Sequence, residues 1–199
     1  NTIATDGSGN IWLGDEFAGI IKYNGSTWVA YNTENSSLPD SRPMDLVIGT
    51  EGDTWVGMRD DGLVRFDGHD WTFYNSGIPD EWVNTMDIDC VGNVWVGTNK
   101  GVGKYDGNKW TVFDTTNSPL PPDHSETVSP ELVILNITID NNCNKWIGVD
   151  KGGLVKYDGK EWTIFNEQNS GLPNNKVYKI TPDYSGNLWM GIRKLGSPD

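Results

Sequence analysis

The stretch Asp89-Cys90-Val91-Gly92-Asn93-Val94-Trp95-Val96-Gly97, continued by Gly101-Val102-Gly103-Lys104-Tyr105-Asp106-Gly107-Asn108-Lys109-Trp110, decides the fold because the chain repeats it. Its Trp-x-Gly triplet returns as Trp12-Leu13-Gly14, Trp55-Val56-Gly57, Trp146-Ile147-Gly148 and Trp189-Met190-Gly191, at intervals of 43, 40, 51 and 43 residues. Its second half, an aromatic residue, Asp or Asn, then Gly-x-x-Trp, returns as Tyr23-Asn24-Gly25-Ser26-Thr27-Trp28, Phe66-Asp67-Gly68-His69-Asp70-Trp71 and Tyr157-Asp158-Gly159-Lys160-Glu161-Trp162. Nine of the ten tryptophans fall on this template, so only Trp82 needs a separate account. A repeat of this length marks an array of like supersecondary units.

Each unit reads as four short strands. The first carries an apolar residue nine positions before the template Trp: Ile3, Leu46, Met86, Ile137 and Ile180. A turn such as Asp6-Gly7-Ser8-Gly9-Asn10 or Asp183-Tyr184-Ser185-Gly186-Asn187 follows, where Asp bonds backbone N–H groups and Gly or Asn tolerates positive φ. The second strand holds Trp-x-Gly. The third begins at Gly19, Gly62, Gly101 or Gly153, and an Asn-Gly or Asp-Gly hairpin leads to the fourth. Leu38-Pro39, Ile78-Pro79, Leu120-Pro121 and Leu172-Pro173 mark crossovers, since Pro cannot donate to a central ladder. The expected fold is all-β, a β-propeller of four-stranded antiparallel blades with four full units plus a partial fifth. Residues 1–199 form one domain, in units near 1–39, 40–79, 80–121, 130–173 and a partial 174–199.

Composition agrees. The 199 residues suffice for one domain with a real core, and 24 Gly with 10 Trp favour strands and turns. No apolar run approaches the roughly 20 residues that cross a bilayer, so no membrane insertion is expected. The net charge of −13 repels phosphate backbones, which argues against nucleic acid as a partner.

The pattern Asp-x-x-Gly-Asn-x-Trp-x-Gly, then Gly-Leu-x-x-Tyr-Asp-Gly-x-x-Trp-Thr, then Asn-Ser-Gly-Leu-Pro resembles the two-component regulator propeller repeat. Its best copy runs from Gly153 through Asn169-Ser170-Gly171-Leu172-Pro173 to Trp189. The resemblance implies the ligand-sensing part of hybrid sensor kinases of gut bacteria, often responding to glycans, or a related secreted propeller. It therefore implies a periplasmic or secreted location. Sensor propellers of this kind typically have seven blades, more than the units counted here.

Alternating strand direction puts the two stereotyped turns of every unit at one end of the axis, the turn end. The connections that vary gather at the other, the loop end, where binding usually resides. Candidate ligand contacts there are Trp82, Arg59, Asp61, Glu16, Phe17, Lys100, Lys151, Arg193 and His124. Trp82 could stack on a sugar or another planar face, or simply cover its crossover. Arg59 with Asp60 and Asp61 could bond hydroxyls or a carboxylate, or form a solvated hairpin tip. The third crossover, Asp114 to Pro130, is about ten residues longer than the others and reads as a lid, a contact arm or a tolerated insertion.

Asp6, Asp89, Asp140 and Asp183 recur six positions before the Trp, and a turn-capping role is expected rather than a metal ring. Cys90 and Cys143 lie in turns of adjacent units, at different offsets from the Trp. A bridge needs Cα atoms within about 7 Å, so free thiols are expected. His69 and His124 fall at opposite ends and cannot share a proton-transfer step. No Gly-x-Ser-x-Gly, phosphate loop or zinc spacing occurs, and no cofactor is expected. The reading is a noncatalytic module for a glycan, small-molecule or protein ligand. The alternatives are an assembly module forming homo-oligomers through incomplete blades and, behind it, a propeller lyase or hydrolase.

Overall fold

The computed structural model describes residues 2–39, 42–122 and 132–192, and every regular element among them is a strand. Blade one holds β1 (Thr2–Thr5), β2 (Ile11–Asp15), β3 (Gly19–Tyr23) and β4 (Trp28–Tyr31). Blade two holds β5 (Pro43–Ile48), β6 (Thr54–Met58), β7 (Leu63–Phe66) and β8 (Trp71–Tyr74). Blade three holds β9 (Val83–Ile88), β10 (Val94–Thr98), β11 (Gly101–Tyr105) and β12 (Trp110–Phe113). Blade four holds β13 (Ile134–Ile139), β14 (Lys145–Val149), β15 (Gly153–Tyr157) and β16 (Trp162–Phe165). Unit five contributes β17 (Val177–Pro182) and β18 (Leu188–Ile192). Within each sheet consecutive strands pair antiparallel, and the first strands β1, β5, β9, β13 and β17 pack against one another in turn to line the axis.

The template residues work between blades. Trp12 and Tyr31 of blade one meet Phe66 and Trp71 of blade two, and Trp55 and Tyr74 meet Tyr105 and Trp110 in the same way. Trp95 and Phe113 meet Tyr157 and Trp162 at the third junction. The template Trp faces the following blade, and the residue nine before it faces the preceding one: Leu46, Met86, Ile137 and Ile180 are all buried at their junctions. Burying a large side chain is worth roughly 1.5–3 kcal/mol, so stacked blades stabilise one another where a lone sheet would leave both faces wet.

The Gly of Trp-x-Gly is a matter of space. A Cβ on Gly57 would lie 2.6 Å from Val83 Cγ1, and one on Gly14 2.9 Å from Pro43 Cβ. A Cβ on Gly97 would collide with Ile134 and lie 2.7 Å from Thr85 Cγ2, and one on Gly148 would lie 2.5 Å from the Val177 carbonyl. The next blade's first strand rests on each glycine.

The turn carboxylates cap as expected and also hold the template Trp. Asp6 Oδ1 accepts the N–H groups of Ser8 and Asn10, while Oδ2 accepts the Trp12 indole N–H at 3.0 Å. Asp89, Asp140 and Asp183 accept Trp95, Trp146 and Trp189 at 3.0, 2.8 and 3.1 Å. Burial pushes the Asp6 carboxyl up, but the bonds from Trp12, Asn10 and Ser8 outweigh it and hold it at about 2.

The expectation of free thiols is wrong. Cys90 and Cys143 form a disulfide between blades three and four, with Cα atoms 5.7 Å apart. The differing offsets, which argued against a bridge, are what allow it. The residue five before one Trp lies against the residue three before the next, as Thr50 and Gly92 show at the preceding junction, where a Cβ on Gly92 would be 3.2 Å from Thr50 Oγ1. Cys143 takes φ +63°, at the turn position that Gly9, Gly52, Gly92 and Gly186 hold in the other units.

Candidate functional site

The axial strands are irregular at one register. In β5, β9, β13 and β17 the pairing with the second strand skips one residue: Met44, Asn84, Leu135 and Tyr178. Each lies eleven positions before its template Trp. A bulge inserts one unpaired residue and re-aims its side chain, and bulges concentrate beside functional sites. Here all four bulge residues line one axial recess of about 170 Å³, together with Thr2, Asp45, Thr85, Asn136 and Lys179.

The second ring, ten positions before each Trp, stitches blade to blade. Asp45 accepts the Met86 N–H at 2.9 Å, Thr85 Oγ1 accepts the Ile137 N–H at 3.1 Å, and Asn136 accepts the Ile180 N–H at 2.8 Å. Thr2 Oγ1 donates to Asp45 at 3.2 Å. Deeper along the axis, Asp87 accepts the Ile139 N–H of blade four at 2.7 Å. Burial pushes the Asp87 carboxyl up, the Asp45 charge adds to that, and the N–H bonds from Ile139 and Ile88 only partly offset it. The recess therefore presents a fixed polar ring below four side chains that differ in every blade.

The sequence-derived candidates sit in the connections at the same end of the axis. Trp82 immediately precedes β9, two residues from Asn84, and the Arg59 guanidinium lies 4.4 Å from its ring centroid. These two are brought together. Trp82 is half-buried, and its indole N–H has no hydrogen-bond partner among the described residues. Glu16 pairs with Arg42 at 2.8 Å, and Phe17 beside it is 90% exposed. Lys100 pairs with Asp80 at 2.9 Å. Asp61 and Lys151 occupy the β6–β7 and β14–β15 turns, Lys151 with φ +56°. Asp150 in that turn pairs with Lys176 at 3.0 Å. Apart from Trp82 and Arg59, the candidates are spread one connection per blade. Arg193 and His124 lie outside the described residues, as does most of the long third crossover.

Sequence reasoning missed the bulge ring and Lys179. The available signal was positional, because a residue eleven before each Trp varies (Met, Asn, Leu, Tyr) beside a uniformly apolar position two later. His69, the described histidine, donates its backbone N–H to Asp67 in the β7–β8 turn, at the opposite end from the recess. No group of three or more His, Cys, Asp or Glu suited to a metal ion occurs among the described residues.

Residues 171–194 match the two component regulator propeller family model. That match covers one repeat junction, from the end of the β16–β17 crossover to just past β18. This propeller is similar to the extracellular domain of a putative hybrid two component system from B. thetaiotaomicron, at TM-score 0.72 and 21% identity, covering 96% of this chain and 26% of that one. It is similar also to PorZ, a bacterial surface component of the type-IX secretion system of Porphyromonas gingivalis, at TM-score 0.72 and 18% identity, with 96% and 30% covered. Virginiamycin B lyase from Staphylococcus aureus matches at TM-score 0.73 and 17% identity, with 95% and 61% covered. The chain thus spans less than two thirds of these structures, and at such identities they share its fold. No curated protein matches the sequence.

Proposed function

We propose that this propeller is a noncatalytic, extracytoplasmic ligand-binding module whose site is the loop-end mouth of the axis. The observation that carries the reading is the bulge ring: four otherwise repetitive strands break register at one level, and every unpaired residue lines the same recess. At about 170 Å³ the recess admits a substituent rather than a whole ligand of usual size. The remainder would lie against the connections, where Trp82 offers a flat face and a donor. A glycan or another hydroxyl-rich small molecule suits that set of one aromatic face, amides, hydroxyls and single charges. The disulfide supports export, since such bonds persist in oxidising compartments.

A screen of glycans and metabolites by tryptophan fluorescence tests this, repeated with Trp82→Ala and Asn84→Ala. A hit should weaken about tenfold, roughly 1.4 kcal/mol, in each variant. A ligand whose affinity neither substitution changes would place the site elsewhere.

An assembly role is the second reading, and exposed template residues favour it. Trp28 and Ile3 of blade one are 59% and 66% exposed, and Trp189 of unit five is 68% exposed. They are the halves of a junction that interior blades bury. Sedimentation equilibrium across concentration decides it, because a monomer at every concentration excludes self-association through these faces.

A further inference from the structure

Two neighbouring junctions share a crevice at the turn end, and one shows what the other is built to hold. Between blades three and four the crevice is filled by an ammonium group of the protein itself. Lys145 reaches back from β14 to lie 5.3 Å from the Trp95 ring centroid and 3.6 Å from Asp89 Oδ2, and it donates to the Cys143 carbonyl at 2.9 Å. Only 9% of its side chain is exposed. Lys104 flanks the same ring at 5.9 Å from its own blade.

Between blades two and three the same architecture recurs without the plug. Arg65 takes the part of Lys104, 5.6 Å from the Trp55 centroid. Gly49 stands where the turn Asp should be, and Asp53 fills that space with its carboxylate, 8% exposed as a residue. Val94 stands where Lys145 should be, and Thr50 with Gly92 stands where the disulfide should be. A crevice of about 360 Å³ results, walled by Trp55, Tyr74 and Tyr105 and edged by Asp53, Glu51 and Arg65. The Trp55–Tyr74 and Tyr74–Tyr105 centroids are each 5.2 Å apart, so the rings form one continuous aromatic wall. Arg65 lies 2.6 Å from Asp53 and 3.9 Å from Glu51, one cation against two carboxylates.

We propose that this crevice binds a primary alkylammonium group, seated as Lys145 is seated one junction further on. Its alkyl chain would lie on the aromatic wall, and its ammonium would complete the charge balance of Asp53, Glu51 and Arg65. An anion would meet two carboxylates on a protein of net charge −13. The inference does not depend on the loop-end site. The amine could be free or the end of a lysine side chain, and the experiment separates these sources.

The test titrates the intact chain with 1,5-diaminopentane, with an end-blocked Gly-Lys-Gly peptide, and with pentane-1,5-diol as the uncharged match, reading tryptophan fluorescence. Saturable binding of either amine, with none of the diol, is expected. The free amine alone or the peptide alone identifies the source, and both results support the site. Val94→Lys, which supplies the plug internally, should weaken binding more than tenfold. Glu51→Gln, at a side chain 84% exposed and so harmless to folding, should weaken it about threefold, and Glu34→Gln, in the exposed β4–β5 crossover at the opposite end, should change nothing. Equal binding of the diol, no saturable amine binding, or amine affinity untouched by Glu51→Gln would each overturn the proposal.

Discussion

Blade three and unit five carry the same motif in different surroundings. Trp95 is 1% exposed and Trp189 68% exposed, although both accept the same turn geometry and both indoles donate to a turn Asp. A Cβ on Gly97 would collide with blade four, whereas one on Gly191 would meet nothing closer than Lys179 Cβ at 3.7 Å. The difference separates two functions of one motif. The Asp–Trp bond is made within a unit and survives at its exposed face. The Trp burial and the small Gly serve the next blade, and they carry energy only where that blade is present.

Substitution at the two tryptophans gives the largest contrast. Trp95→Ala removes a ring packed at a closed junction and should cost about 3–5 kcal/mol in urea unfolding. Trp189→Ala should stay within about 0.5 kcal/mol of the parent, as exposed positions usually do. Equal losses would mean that the Trp189 face is covered in solution, which is the outcome the assembly reading requires.

The disulfide sharpens the contrast between junctions. It closes a loop of 53 residues, for which chain entropy predicts a contribution of about 4 kcal/mol, with measured bridges more often giving 2–4. Reduction, or Cys90→Ser with Cys143→Ser, should lower the urea midpoint accordingly. A midpoint unchanged by reductant would show that the Lys145–Asp89 pair and the aromatic contacts suffice to hold blades three and four together.

The glycine pair comes next. Gly97→Ala overpacks the contact with Ile134 and Thr85 and should cost about 1–3 kcal/mol. Gly191→Ala has room and should be near neutral. Both glycines have ordinary backbone angles, so neither result would be confounded by φ.

These contrasts explain what the sequence disclosed. The fold was legible because each template position recurs: an indole every 40–51 residues, an apolar residue nine before it and an Asp six before it leave only one way to pair and stack the strands. Arg59 and Trp82 were placed at one end by strand direction alone, and the 4.4 Å contact between them bears that out. The bulge ring was not legible, because a skipped residue is a matter of pairing between strands, and in strands of six residues the break it makes in the alternation is too short to read from one chain. The Cys90–Cys143 bridge was not legible either, because contacts between turns of different blades depend on how closely the sheets stack, and Thr50 and Gly92 carry no signal of that approach.

The smallest effect distinguishes the turn end from the axis by pH. Hydrogen bonds from Asn187 and Trp189 hold the exposed Asp183 carboxyl at about 2, below its ordinary 3.8, and Asp6 likewise lies at about 2. Asp89 and Asp140 are also lowered, since bonds from Asn and Trp side chains outweigh the upward push of burial. A depressed carboxyl stabilises the fold fully above its unfolded value and loses that contribution as pH falls toward the folded one. The turns therefore weaken between about pH 4 and 2. Asp87 runs the other way: its raised value means that stability is lost as pH rises through its folded midpoint, because a proton kept in the fold is given up. With Asp6, Asp89, Asp140 and Asp183 lowered, and the hairpin-turn carboxylates Asp67, Asp106 and Asp158 lowered with them by backbone N–H bonds, against one axial carboxylate raised, melting temperature should fall steeply below pH 4. Asp89→Asn, which cannot titrate, should flatten that acid limb. Carboxyl NMR should place the Asp183 midpoint near 2, and a midpoint at or above 3.8 would show that the Asn187 and Trp189 bonds do not persist at this exposed turn.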